Sequence, residues 1–84
     1  MLKIKILGAG CANCYNLEKI CREAVSENNI EAEIIKVTDY REIMSYGILS
    51  TPGLVVNEKL IHSGKLPSKS TLTHWLTDAQ LREH

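Results

Sequence analysis

Apolar and charged residues alternate along Leu2-Lys3-Ile4-Lys5-Ile6, the period of a strand with one buried face. Gly8-Ala9-Gly10 is a flexible break that leaves room for a thiolate turn at Cys11. From Cys11 the period changes: Cys14, Leu17, Ile20, Cys21 and Ala24 recur at helical spacing, and Glu18, Lys19, Arg22 and Glu23 fill the other face. Asn28-Asn29 ends that helix. Ala32 to Val37 reads as a second strand. Asp39, with Glu42 three residues on, opens a second helix as an acidic capping box, with Ile43 and Met44 facing inward and Gly47 as its stop. Ser50-Thr51-Pro52-Gly53 is a turn signal. Two short strands follow, Leu54 to Val56 and Leu60 to Ser63, joined at Asn57-Glu58-Lys59 as a tight hairpin. Pro67-Ser68 opens a last helix with the apolar stripe Leu72, Trp75, Leu76 and Ala79.

The order β-α-β-α-β-β-α implies a right-handed βαβ unit with parallel pairing, followed by an antiparallel hairpin. The expected architecture is one α/β domain over residues 1–84, a mixed four-stranded sheet with helices on both faces. A hydrophobic fraction of 44% and a charged fraction of 24% fit a globular chain rather than a disordered one. Ten basic residues balance ten acidic ones, so the field that non-specific nucleic-acid binding requires is missing. No apolar run approaches the ~20 residues of a membrane span, and no export signal is visible. The expected setting is cytoplasmic, without membrane or nucleic-acid partner, and the balanced surface favours a monomer.

Three cysteines are too few, and odd in number, for a disulfide-stapled scaffold. Cys11 and Cys14 stand three apart at a helix start, where Cα atoms fall near the ~5.5 Å that a disulfide prefers. Cys11 meets the free N–H groups and the positive end of the helix dipole. These stabilise a thiolate and lower its pKa below the free value of about 8.5. Cys11 is therefore the expected nucleophile, and Cys14, one turn in on the apolar stripe, the expected resolving thiol. Cys21 lies about 10.5 Å further along the helix axis, too far for a bridge to Cys14, and reads as a buried small hydrophobe.

With Cys11-Ala12-Asn13-Cys14 at a helix start and Ser50-Thr51-Pro52 before a hairpin, the chain resembles the thioredoxin and glutaredoxin superfamily. It is most similar to the small thioredoxin-like proteins known as redox-active disulfide proteins. The resemblance runs from Lys3 to about Leu76 and implies a thioredoxin-like fold and thiol–disulfide oxidoreductase activity on protein or small-molecule disulfides, with no cofactor and no metal. It also implies that Pro52 is a cis proline facing the disulfide, that the Thr51 backbone receives an extended substrate strand, and that an upstream reductase regenerates the dithiol. The chain departs from the thioredoxin pattern in three places. Gly10 replaces the tryptophan before the first cysteine, Ala12-Asn13 replaces Gly-Pro, and Lys5 takes the position of a buried acid. No glutathione-binding pattern is evident.

Two other readings use the same residues. Gly8-Ala9-Gly10-Cys11-Ala12-Asn13-Cys14 also fits the string of small copper chaperones, and two thiolates suit a soft metal. Those domains finish on a strand, whereas this chain finishes on the helix around Trp75. A non-catalytic interaction module on the same fold is the other alternative. A zinc site is not expected, because His62 and His74 lack finger spacing. His62 reads as a strand-surface residue, His74 as a solvated helix residue, and His84 as a disordered terminus. Trp75 reads as core, and the scattered Tyr15, Tyr40 and Tyr46 as core or surface packing residues.

Overall fold

Alternation along Leu2–Leu7 buries Leu2, Ile4 and Ile6 on one side, and this strand, β1, lies inside a sheet rather than at its edge. The structure, a computed structural model, describes residues 1–48 and 50–83; the expectation for His84 lies outside the described residues. After β1 come α1 (Ala12–Glu27), β2 (Ala32–Val37), α2 (Tyr40–Ser45), β3 (Gly53–Val56), β4 (Lys59–Ser63) and α3 (Lys69–Arg82). The sheet order is β2-β1-β3-β4. β1 runs parallel to β2 and antiparallel to β3, and β3 pairs antiparallel with β4. The α/β class, element order and mixed pairing match those read from periodicity.

Two cores separate on the two faces. Leu2, Ile4 and Ile6 meet Leu17, Cys21 and Ala24 of α1 and Leu72 and Leu76 of α3. Leu7, Val37 and Val55 meet Ile43 of α2 and Ile48 on the other face. Turn chemistry closes the elements where the sequence places it. Asn57 and Glu58, at φ 52° and 68°, form a two-residue turn with both central residues left-handed, so β4 begins at Lys59 and the loop is one residue shorter than expected. Gly47, at φ 76°, follows the α2 cap in the left-handed conformation that glycine adopts without a Cβ clash.

Three packing expectations are corrected. Met44 does not face inward: α2 spans fewer than two turns and buries only Ile43, leaving Met44 46% exposed. Glu42 does not close a capping box. Asp39 Oδ1 accepts the Arg41 N–H at 2.8 Å, while the Glu42 carboxylate turns to Lys5 Nζ at 3.7 Å. Trp75 sits at the rim of the larger core rather than within it, its ring 5.3 Å from that of half-buried His62, which itself meets the Lys65 carbonyl.

Candidate active site

The helix that carries the cysteines begins one residue after Cys11. Cys11 is its N-cap, with extended backbone (φ −77°, ψ 159°), and its Sγ accepts the Cys14 N–H at 3.1 Å. A sulfur thus stands where Ser, Thr, Asp or Asn commonly caps a helix. No acidic residue lies in the first turn of α1, so no carboxylate of that turn opposes negative charge on that sulfur. Cys11 and Cys14 are disulfide-bonded, with Cα atoms 5.1 Å apart. Cys11 is half-buried and Cys14 is 7% exposed.

A second segment reaches the same place through the sheet. Leu7, the last residue of β1, pairs with Gly53, the first of β3. The loop leaving β1 toward Cys11 therefore lies beside the loop that delivers Thr51 and Pro52. The Thr51–Pro52 peptide is cis; Pro52 is fully buried and its carbonyl accepts the Gly64 N–H at 2.9 Å, while Thr51 is exposed. Gly8 sits between the two segments: a Cβ built on it would overlap Cys14 Sγ on one side and lie 3.7 Å from Thr51 Cβ on the other. The four residues singled out from sequence thus converge, and Gly8, read from sequence as part of a break with room for the thiolate turn, is the residue between them. Its signal in the sequence was present but not specific, because glycine before a helix has many causes.

Lys5 is drawn away from this cluster. It alternates with Ile4 and Ile6, so it emerges on the α2 face, where its ammonium meets Tyr46 Oη at 2.8 Å and Glu58 Oε1 at 3.0 Å. Those hydrogen bonds, to Tyr46 first and Glu58 next, raise its pKa, and Lys5 in turn holds the Glu58 carboxyl below its ordinary value. A different lysine, Lys36 of β2, borders the small cavity of about 90 Å³ onto which Cys14 opens, together with Tyr15 and Thr38. Its ammonium lies 5.0 Å from the Tyr15 ring centroid and 3.0 Å from Glu18 Oε1. Glu18 also takes Arg22 at 2.9 Å, and the two cations, Lys36 first, lower its pKa. On the other side of Thr51 an open groove of about 400 Å³ is lined by Ala9, Tyr40, Met44 and Ile48, among others. Among the described residues no group of three or more His, Cys, Asp or Glu side chains is placed to hold a metal ion.

Residues 2–77 match the model of a family described as thioredoxin domain. The chain is 44% identical over 72 residues to a thioredoxin of Methanothermobacter thermautotrophicus, covering 86% of this chain and 94% of that one. It is 40% identical over 68 residues to a thioredoxin of Methanocaldococcus jannaschii, covering 81% and 78%. The chain belongs to the thioredoxin family. As a thioredoxin-family protein it is a thiol–disulfide oxidoreductase, and proteins of this kind act on protein disulfides. The fold agrees: the solution structure of an oxidised thioredoxin from Plasmodium falciparum superposes with a TM-score of 0.65 at 20% identity, covering 94% of this chain and 81% of that one. The germline-specific thioredoxin Deadhead of Drosophila melanogaster gives 0.65 at 19% identity, covering 92% and 79%. The oxidoreductase reading of the Cys pair therefore stands over the copper-carrier and interaction-module alternatives. No helix among the described residues is long and apolar enough to cross a membrane.

The third thiol of this thioredoxin-family protein has a different fate. Cys21 is fully buried in the larger core, and that burial pushes its pKa up to about 12, with the Glu18 charge adding to the effect and Arg22 opposing it. The folded state keeps this proton while the unfolded chain loses it above about pH 9. Stability is therefore complete below that pH and falls as pH rises through the window from about 9 to 12, with a slope of about 1.4 kcal/mol per pH unit. Urea unfolding of the oxidised protein from pH 8.5 to 10.5 is expected to show this decline. In Cys21→Ala that share of the slope disappears; an unchanged slope would refute the assignment.

Proposed function

We propose that Cys11 is the attacking thiol and Cys14 the resolving thiol of this oxidoreductase. The observation that carries the reading is the N-cap position of Cys11, whose Sγ already accepts a main-chain N–H in the disulfide state. In the dithiol the same N–H and the helix N-terminus favour the Cys11 thiolate. That thiolate attacks one sulfur of a substrate disulfide and forms a mixed disulfide, and the other substrate sulfur leaves as a thiol after protonation. Cys14, deprotonated, then attacks Cys11 Sγ, releases the second substrate thiol and closes the Cys11–Cys14 bond. The greater burial of Cys14 suits the step that occurs within the protein rather than on the incoming substrate.

Exposed Thr51, beside buried Pro52, presents the backbone on which an extended substrate segment pairs, in the manner of strand addition. The groove lined by Tyr40, Met44 and Ile48 supplies apolar surface next to it. Residues 1–84 act as one domain, as a monomer in the cytoplasm, on protein or small-molecule disulfides, and an upstream reductase returns the pair to the dithiol. The test is to equilibrate the protein across dithiol–disulfide buffers, alkylate free thiols and locate the label by mass spectrometry. Cys11 and Cys14 are expected to lose label together at one potential while Cys21 stays unlabelled in the native protein. Retention of label on both across the range, with one equivalent of copper copurifying, would replace this reading with metal carriage.

A further inference from the structure

Gly8 touches the reacting atoms more closely than its place outside the Cys11–Cys14 motif suggests. It is buried at the end of β1, and its N–H donates to the Val37 carbonyl at 3.0 Å, which ties this backbone to β2. A Cβ built there would overlap Cys14 Sγ, lie 3.3 Å from Cys14 Cβ, and sit 3.7 Å from Thr51 Cβ. We propose that Gly8 is a positioning residue that sets the balance between dithiol and disulfide, by leaving open the space that Cys14 Sγ occupies when bonded to Cys11. The inference rests on the proposed use of the Cys11–Cys14 pair and adds a determinant outside it.

The two redox states differ in how freely Cys14 can yield. In the disulfide, Sγ is held by its bond to Cys11, itself fixed as the N-cap of α1. A side chain at position 8 then has to displace the bonded sulfur or the β1 end, and the hydrogen bond to Val37 holds the latter. In the dithiol the Cys14 side chain is free to turn about its Cα–Cβ bond to another staggered position. The ordinary contact with Thr51 Cβ and the tighter one with Cys14 Cβ then persist, the latter at a distance that a shift of a few tenths of an ångström relieves. A methyl group at position 8 therefore penalises the disulfide more than the dithiol. Gly10 provides the contrast. Its φ of +81° disfavours any side chain, but a Cβ there meets nothing within 4 Å, so its substitution burdens both redox states alike.

The experiment compares wild type, Gly8→Ala and Gly10→Ala in equilibrium with reduced and oxidised dithiothreitol. In that exchange two electrons and two protons pass between the buffer dithiol and the protein disulfide. Gly8→Ala is expected to shift the equilibrium at least about tenfold toward the protein dithiol, a potential about 30 mV less negative, with Gly10→Ala close to wild type. Thermal unfolding is expected to show the matching signature, the oxidised form of Gly8→Ala losing more stability than its reduced form. A smaller shift, a shift toward the disulfide, or an equal shift in Gly10→Ala overturns the assignment. If Gly8→Ala fails to fold, the double variant Gly8→Ala/Cys14→Ala decides. Recovery of folding once the sulfur is gone supports the contact, and continued failure overturns it. A wild-type pair that does not titrate at all would instead remove the reading of Cys11 and Cys14 on which the inference rests.

Discussion

Cys11→Ser is expected to lose turnover of disulfide substrates to the uncatalysed background, a fall of at least about 10³-fold. A serine hydroxyl still caps α1, accepting the N–H that Cys11 Sγ accepts at 3.1 Å, so the fold survives the change. What is lost is a sulfur able to bond to the substrate. Cys14→Ser behaves differently under the same assay. Its first attack proceeds, no internal thiol releases the product, and the mixed disulfide on Cys11 accumulates. Stopped-time alkylation with mass spectrometry separates the two variants: an adduct mass on Cys14→Ser and none on Cys11→Ser. If Cys11→Ser formed the adduct and Cys14→Ser did not, the two roles would have to be exchanged.

Leu17→Ala carries the largest expected effect on stability, a loss of about 3 kcal/mol within the usual range of roughly 2–5 for a buried leucine. Leu17 is fully buried in the face shared by α1, α3 and the sheet, one turn beyond Cys14. Removing its isopropyl group leaves a cavity in the core cluster that also holds Ile4, Ile6 and Leu72. A chain of 84 residues has roughly 4–13 kcal/mol of total stability, so the variant loses a large share of it. With a urea dependence of about 1 kcal/mol per molar for so small a chain, the unfolding midpoint falls by roughly 3 M. Tyr40→Ala, at a residue 73% exposed, is expected to stay within about 0.5 kcal/mol of wild type. Equal midpoints for the two variants would show that the Leu17 site collapses around the deletion.

The elements of this fold are legible in the sequence because most of its signals are local. Alternation along β1, the stripe from Cys14 to Ala24, and the caps at Asp39 and Ser68 each act within a few residues of themselves. The dithiol is legible for the same reason: its spacing and its helix start are both short-range. Partner choice is not. Glu42 has a suitable spacing to cap α2, yet its carboxylate goes to Lys5, brought near only when β1 packs against α2. Lys5 itself shows the point most clearly. A position counted back from Cys11 puts it where thioredoxins carry a buried acid and leaves its direction open; strand alternation turns it to the α2 face, toward Tyr46 and Glu58. The cis state of Thr51–Pro52 was reached through family resemblance. For Gly8 the sequence shows only a glycine break with room for the thiolate turn, since the atoms that give this residue its meaning belong to residues six and forty-three positions away.

The antiparallel pairing of Leu7 with Gly53 has one consequence for how the protein becomes competent. Its cysteines come together by forming a single helical turn, an event of low contact order that any fragment carrying α1 can attempt. Thr51 and Pro52 arrive only when a loop of some forty-five residues closes and β3 finds its register on β1. A slip of two residues in that pairing would keep the same side chains facing the core yet carry Thr51 about 6.6 Å along the strand from the disulfide. Chemical reactivity is thus an early and local property of this chain, whereas the surface assigned to substrate is a late and global one. A nascent or partly unfolded chain can be oxidised at its dithiol before it can select what it reacts with.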